Sequence, residues 1–473
     1  MIELDHISYW YPRRTESALR DLTLRVRDGE SVCIMGRNGS GKSTLVKLIA
    51  GLIKPDRGKV RVDGQVAILF QNPDNQMVTT LVEKEIAFAL ENRAVPQDDM
   101  EQAITRITRQ CGIEPLRRRL TSELSGGEKQ RVAVASVMVQ EPAVLLLDEP
   151  DSFLDHRGRK ILAEELQRLH AQDPALIEIR ITQNPKVAQG YGRLIVVDNG
   201  GVIADGDPAT LLADGTLCSS TGIAVADPAS IKISLPSRLR NHGDDESGHL
   251  RQVRAENVSF NWPFCPPVFE SLSLSVAKRE TVGLVGSTGV GKSSIGLLLA
   301  GLVSPTAGSV VYLNGSGAAL ARAHIRGNVA LVLQQAERQF FLESCEQEIA
   351  FGPKNLGRKL STSEIHELFE MIGLSPSRYS SRDPFTLSAG EKRRLAFAAV
   401  LAMGPSLVIF DEPTAGLDGE GVGRFIALSH ALRSHGMGQL VISHDTDIID
   451  HVCDRVMLLD EHGKLEHQIP QPA

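Results

Sequence analysis

Apolar residues along this chain fall into two kinds of stretch. Segments such as "VSFNW" (258–262) and "LSLSV" (272–276) alternate apolar and polar side chains, the period of a half-buried strand. Others, "AVLLLDE" (143–149), "LVIFDE" (407–412), "LIVVD" (194–198) and "VMLLD" (456–460), are short and almost continuously apolar, with helical stretches between them. Alternating strands come first, then strand, glycine-rich loop and helix, then the short apolar strands. That succession predicts an α/β fold with a mostly parallel sheet.

The succession occurs twice. "MGRNGSGKST" (35–44) returns as "VGSTGVGKSS" (285–294), "LSGGEKQR" (124–131) as "LSAGEKRR" (387–394), and "LLLDEP" (145–150) as "VIFDEP" (408–413). Lys42 and Lys292 are 250 positions apart, whereas Gln71 and Gln334, Ser125 and Ser388, and Glu149 and Glu412 are all 263 apart. The additional residues fall around "YLNGSGAALARAH" (312–324). The chain is a tandem duplication, predicted as a first domain over 1–225, a linker over 226–250 where Pro, Ser, Gly and mixed charge replace apolar periodicity, and a second domain over 251–473.

Composition narrows the classes. A length of 473 residues suits two or three domains, and 42% hydrophobic with 23% charged residues is globular. A net charge of -7 argues against a polyanion such as DNA as the main partner. Six cysteines are scattered singly without metal-ligand spacing, which reads as reduced thiols. No apolar run approaches a membrane span or a signal peptide, so work at a membrane would go through a partner.

Gly36, Gly39, Gly41, Lys42 and Ser43 fit G-x-x-x-x-G-K-[ST] between the strand "SVCIM" (31–35) and the helix "TLVKLIAG" (44–51). That is the context of a phosphate-binding loop. Backbone N–H groups of this loop, with Asn38, Ser40 and Thr44 in it, wrap phosphates; Lys42 neutralises the terminal ones, and the Ser43 hydroxyl ligates magnesium. Gly286, Ser287, Thr288, Gly289, Val290, Gly291, Lys292, Ser293 and Ser294 repeat the arrangement. Asp148 and Asp411 end apolar strands where a carboxylate can hold magnesium, and Glu149 and Glu412 follow where they could polarise an attacking water.

With "LSGGEKQR" added, each half resembles an ABC-type ATPase domain over nearly its whole length. The resemblance implies two tandem P-loop NTPase domains, each with an antiparallel strand subdomain and a helical signature-motif subdomain, binding ATP and Mg²⁺. It assigns Tyr11 and Trp262 to stacking on adenine, Gln71 and Gln334 to the metal and the attacking water, and Asp155 and Asp418 to coupling between sites. In such proteins two domains pack head to tail. Site one then combines Tyr11, Lys42, Ser43, Gln71, Asp148, Glu149 and Gln183 with Ser388, Ala389, Gly390 and Glu391. Site two combines Trp262, Lys292, Ser293, Gln334, Asp411, Glu412 and His444 with Ser125, Gly126, Gly127 and Glu128.

Site one departs from the family pattern twice, through Ala389 and through Gln183 of "IRITQN", where the second half has His444 in "LVISHD". Glutamine donates a hydrogen bond but cannot become cationic. The expectation is a site two that turns over and a site one that binds ATP and hydrolyses slowly.

"FQNPDNQMVTTLVEKEIAFALEN" (70–92) and "LQQAERQFFLESCEQEIAFGPKN" (333–355) resemble the ATPase subunits of energy-coupling-factor importers, which take up vitamins and metal ions. This resemblance implies a transmembrane scaffold subunit, a small substrate-binding membrane subunit, and residence at the cytoplasmic face of the membrane. Met77, Val78, Phe340, Phe341 and Leu342 could anchor the scaffold's coupling helices or belong to the core. A fused ATPase of another ABC transporter class, and a soluble ABC protein acting on ribosomes, are the competing readings.

Overall fold

The computed structural model describes residues 1–468 apart from 13–15, 152–153, 155, 241–249, 264, 288, 322–324 and 461, so Asp155 and Thr288 lie outside the described residues. Two compact units divide the chain, residues 1–225 and 226–473.

Each unit is built on a six-stranded sheet. In the first unit the strand order is Val66–Leu69, Val144–Asp148, Ile177–Ile181, Ser31–Met35, Arg193–Asp198 and Gly201–Gly206. Neighbours are parallel except the last pair. The second repeats it as Val329–Val332, Leu407–Asp411, Gly438–Ile442, Thr281–Gly286, Arg455–Leu459 and Leu465–Gln468. Val144–Asp148, Ile177–Ile181 and their counterparts Leu407–Asp411 and Gly438–Ile442 are buried at every position. Burial on both faces is why Val144–Asp148 and Leu407–Asp411 read as almost continuously apolar up to their terminal aspartates, while Ile177–Ile181 and Gly438–Ile442 carry buried polar side chains.

A three-stranded antiparallel sheet lies beside each: Leu19–Val26, Ile2–Tyr9 and Arg57–Val62 in one unit, Pro267–Ala277, Leu250–Asn261 and Ala307–Asn314 in the other. Leu22, Leu24 and Val26 point inward and alternate with exposed neighbours. The additional residues after Tyr312 lengthen the last of these strands and turn back, with Leu320 N–H donating to Tyr312 O at 2.7 Å.

Within the described part of the stretch read from composition as linker, residues 226–240 and 250, several side chains pack into the second unit. Leu235 and Leu239 are buried in the core of the second unit, and Ala226 N–H donates to Gly419 O at 3.0 Å. No helix among the described residues is long and apolar enough to cross a membrane.

Candidate functional site

Each glycine loop leaves the central strand of its sheet and enters a helix, Lys42–Ile49 or Lys292–Leu299. Gly36 has φ 142°, and a Cβ there would lie 2.0 Å from Val197 O; at Gly286, φ 154°, it would lie 2.4 Å from Leu459 O. No other residue fits so close to a neighbouring backbone. Gly41 and Gly291 precede the helices in left-handed conformation without a side-chain cap, so the first helical N–H groups face the loop. Lys42 Nζ donates to Gly36 O and Arg37 O, both at 2.7 Å, and Lys292 Nζ to Gly286 O and Ser287 O at 2.7 and 2.8 Å. The ammonium thus spans the mouth of each loop.

Asp148 and Asp411 end their strands beside these loops, each accepting a hydrogen bond from the loop serine, Ser43 or Ser293. Burial pushes both carboxyls up, Asp411 to about 6, against the opposing pull of the serine and lysine. A carboxylate already touching a hydroxyl is a hard oxygen donor set, which fits magnesium.

The next residue turns back on itself. Glu149 and Glu412 have φ 47° and 49°, and their N–H groups donate to Ile181 O at 3.1 Å and Ile442 O at 2.8 Å. Left-handed glutamates at matching places in both halves are strained, and such strain collects at functional sites.

What holds the two glutamates differs. Gln71 Nε2 donates to Glu149 Oε2 at 2.6 Å, and Gln183 Nε2 lies 3.3 Å from both Glu149 Oε1 and Asn38 Oδ1. The Gln183 Oε1 is buried without a hydrogen-bond partner. In the second half His444 Nδ1 lies 2.9 Å from Glu412 Oε2, and Ser443 Oγ donates to the same oxygen at 3.4 Å. Burial alone would raise the Glu412 pKa, but His444, by charge and hydrogen bond, and Lys292 together bring it below the ordinary value. The Glu412 side chain is therefore held as a carboxylate.

Both signature motifs start helices, Gly126–Met138 and Ala389–Leu401, through a complete capping box: Ser125 with Glu128, and Ser388 with Glu391. Tyr379 OH donates to Glu391 Oε1 at 2.6 Å. Gly127 and Gly390 are buried in the first turns, while Gly126 and Ala389 occupy the first helical position. Tyr11 OH lies 3.1 Å from Thr44 Oγ1, next to its glycine loop. Trp262 is 40% exposed and packs edge-on against Phe260 at 5.1 Å. The Asp418 carboxylate caps the helix Gly419–Ser434, accepting from Gly421 N–H at 2.9 Å. Within each unit, then, the structure brings together the glycine loop, the strand-end aspartate, the glutamate and the Gln183 or His444 position.

Two features escaped the sequence reading. Glu85 is buried and accepts from Val78 N–H and Thr79 N–H at 3.0 and 2.7 Å, and Glu348 does the same for Phe341 and Leu342, both at 2.6 Å. Their recurrence in "EIAF" of both halves was the available signal. The Arg393 guanidinium, on a signature helix, gave no signal beyond its letter.

Fold and site together define a tandem P-loop nucleotide hydrolase. The family model described as "ABC transporter" matches residues 19–152 and again 269–415. An ABC transporter ATP-binding protein of Bifidobacterium longum is 32% identical, aligned over 96% of this chain and 64% of its own. One from Treponema denticola is 31% identical over 99% of this chain and 97% of its own. The chain thus spans less than two thirds of the first relative and nearly all of the second. The solved structure of an archaeal ribosome recycling factor with a ribosomal stalk protein shares the fold, with TM-score 0.62 over 97% of this chain and 89% of that one at 21% identity. The chain belongs to the ABC transporter family, and its two halves are ATP-binding, ATP-hydrolysing domains of that family.

Proposed function

We propose that this chain is the ATPase component of an energy-coupling-factor importer, driving uptake of a vitamin or metal ion through a transmembrane scaffold and a small substrate-binding membrane subunit. The observation that carries this reading is the built loop that follows Gln71 and, in the other half, Gln334. A buried glutamate, Glu85 or Glu348, pins the backbone of a loop that presents an apolar tip, Val78 at 68% or Phe341 at 59% exposed. Phe341 packs edge-on against Phe351 at 4.6 Å beside a cavity of about 300 Å³ lined also by Phe340, Gly352 and Met403. Apolar anchors on a polar, rigidly tied rim suit a docked helix. Of the five candidate anchors, Val78 and Phe341 are exposed, Phe340 is buried in the core, and Met77 and Leu342 are intermediate.

In this reading Lys42, Ser43 and their loop hold one ATP, and Lys292, Ser293 and their loop the other. The family pattern completes each site with the opposite signature helix, whose capped N-terminus offers N–H groups to the γ-phosphate. Ser43, Gln71 and Asp148, and in the other half Ser293, Gln334 and Asp411, would hold a magnesium ion, which would supply neutralisation of phosphate charge. Glu412 accepts the proton of the attacking water, and His444 orients that carboxylate. In site one Glu149 is ionically unassisted by a histidine, so site two carries most turnover. ATP-driven closure moves the docked helices, and hydrolysis resets them. The chain acts peripherally at the cytoplasmic face of the membrane.

The test is affinity purification of the tagged chain from mildly solubilised membranes of its host. One polytopic scaffold with small membrane proteins carrying bound nutrient is the expected result. Ribosomes, or transporter subunits of another type, would overturn the importer reading and leave the two-site ATPase.

A further inference from the structure

We infer that Arg393 is a positioning residue for hydrolysis in the second half, setting Glu412 and Gln334 against each other through their backbones. Arg393 lies in the signature helix Ala389–Leu401 and is only 7% exposed. Its Nη1 donates to Glu412 O and its Nη2 to Gln334 O, each at 2.5 Å. One planar guanidinium therefore bridges two loops that are remote in sequence. Those loops carry the proposed base and the proposed water-orienting glutamine.

Burying a cation is costly unless its donors are satisfied and counter-charges are near. Burial does push the Arg393 pKa down, against the pull of the Glu412, Asp411 and Glu337 carboxylates. A neutral donor would avoid that cost, and the first half uses one. At the matching place Gln130, fully buried, donates from Nε2 to Pro150 O at 3.0 Å, one residue past Glu149. There the counterpart of Gln334 is tied to the glutamate directly, Gln71 Nε2 donating to Glu149 Oε2 at 2.6 Å. Half one thus spends the Gln71 side chain on fixing the spacing. Half two fixes it through main-chain carbonyls, and among the described residues the Gln334 side chain has no hydrogen bond to Glu412.

The rigid fork of arginine is what makes this possible. Two parallel N–H groups at set separation hold two carbonyls at set separation, which the point charge of lysine cannot do. Since the same helix begins at Ser388, the signature motif of half two is mechanically joined to Glu412 and Gln334. The inference rests on the reading of Glu412 as the working base.

The experiment compares Arg393→Gln, the residue half one tolerates, with Arg393→Lys in the full chain. It measures single-turnover cleavage of ATP with protein in excess, ATP affinity by equilibrium binding, and Tm. Misplacing reacting groups by a fraction of an ångström costs roughly tenfold or more in rate. Arg393→Gln is expected to lower the cleavage rate at saturating ATP about tenfold, with affinity within about twofold. Arg393→Lys, restoring charge but not the fork, recovers only part of the rate. Unchanged cleavage would overturn the inference, as would a rate loss that follows Tm and affinity down together. Glu412→Gln alone keeps the two questions apart. If it leaves cleavage intact, the reading of Glu412 fails, whereas a loss with Glu412→Gln and none with Arg393→Gln sinks the positioning role only.

Discussion

The two halves share one backbone plan and solve the same burial problem with opposite chemistry. On the strand Ile177–Ile181, Glu178 and Arg180 are 3% and 7% exposed, where the matching strand Gly438–Ile442 has Gln439 and Val441. Arg180 donates to Asp151, two residues past Glu149, and to Tyr191 OH; Tyr191 OH donates to Glu178, whose other oxygen lies 2.8 Å from His170 Nε2. At the place of Asp151 the second half has Thr414. Its buried Gln439 is satisfied without charge, accepting from Ser429 Oγ at 2.9 Å and donating to Thr281 Oγ1 at 3.2 Å. Half one is thus ionic behind its site and has amides around its glutamate. Half two is neutral behind its site and has an imidazole and a nearby guanidinium at it. A fold accepts either, provided the buried charges are paired and most buried polar atoms find partners.

The largest expected effect tests whether the difference matters for turnover. Glu412→Gln should cut total ATP hydrolysis on the order of 10²-fold, and Glu149→Gln by no more than about twofold, by the usual worth of a positioned base. Equal losses would break the asymmetry. Gln183→His in the Glu412→Gln background sharpens it, since hydrolysis should then rise severalfold.

A smaller effect addresses the ionic network. Asp151→Thr leaves the Arg180 guanidinium buried beside a lost counter-charge and should destabilise by about 3 kcal/mol in denaturant unfolding. Adding Arg180→Val, the pair found in half two, should return most of that. If the double variant is no better than Asp151→Thr, the two residues are not a coupled pair.

The smallest effect is a pH dependence confined to half one. The hydrogen bond that His170 Nε2 donates to the Glu178 carboxylate, opposed by burial, raises the His170 pKa above its ordinary 6.5. Stabilisation is therefore complete below about pH 6.5 and is lost as pH rises through the raised value. His170→Gln should lower Tm by ~1–2 °C near pH 6 and by less near pH 8.5, because the site is partly solvated. A Tm difference that grows with pH would reverse the assignment.

Much of this was legible from the chain alone, because it is local. A glycine loop between a strand and a helix, an aspartate ending an apolar strand and a serine three residues before a glutamate each fit within a window of one element, and duplication displayed every one twice. The parallel sheet followed from strands too apolar to face water. Other features depend on what lies across a sheet or under a helix. Val78 and Phe341 read the same as Met77 and Phe340, and only packing turned one of each pair outward. The stretch 226–250 looks like linker by composition, yet Leu235 and Leu239 within it find a core to enter.

Sequence by itself determined the duplication, the fold class, the phosphate loops and the Gln183 for histidine exchange. Tertiary structure alone decided that Gln71 reaches Glu149, that Arg393 ties Gln334 to Glu412, and that Arg180 meets Asp151. The physical reason is range. Backbone conformation and amphipathic period act over a few neighbouring residues, whereas the partner of a buried charge is whichever group the folded chain carries within hydrogen-bonding distance.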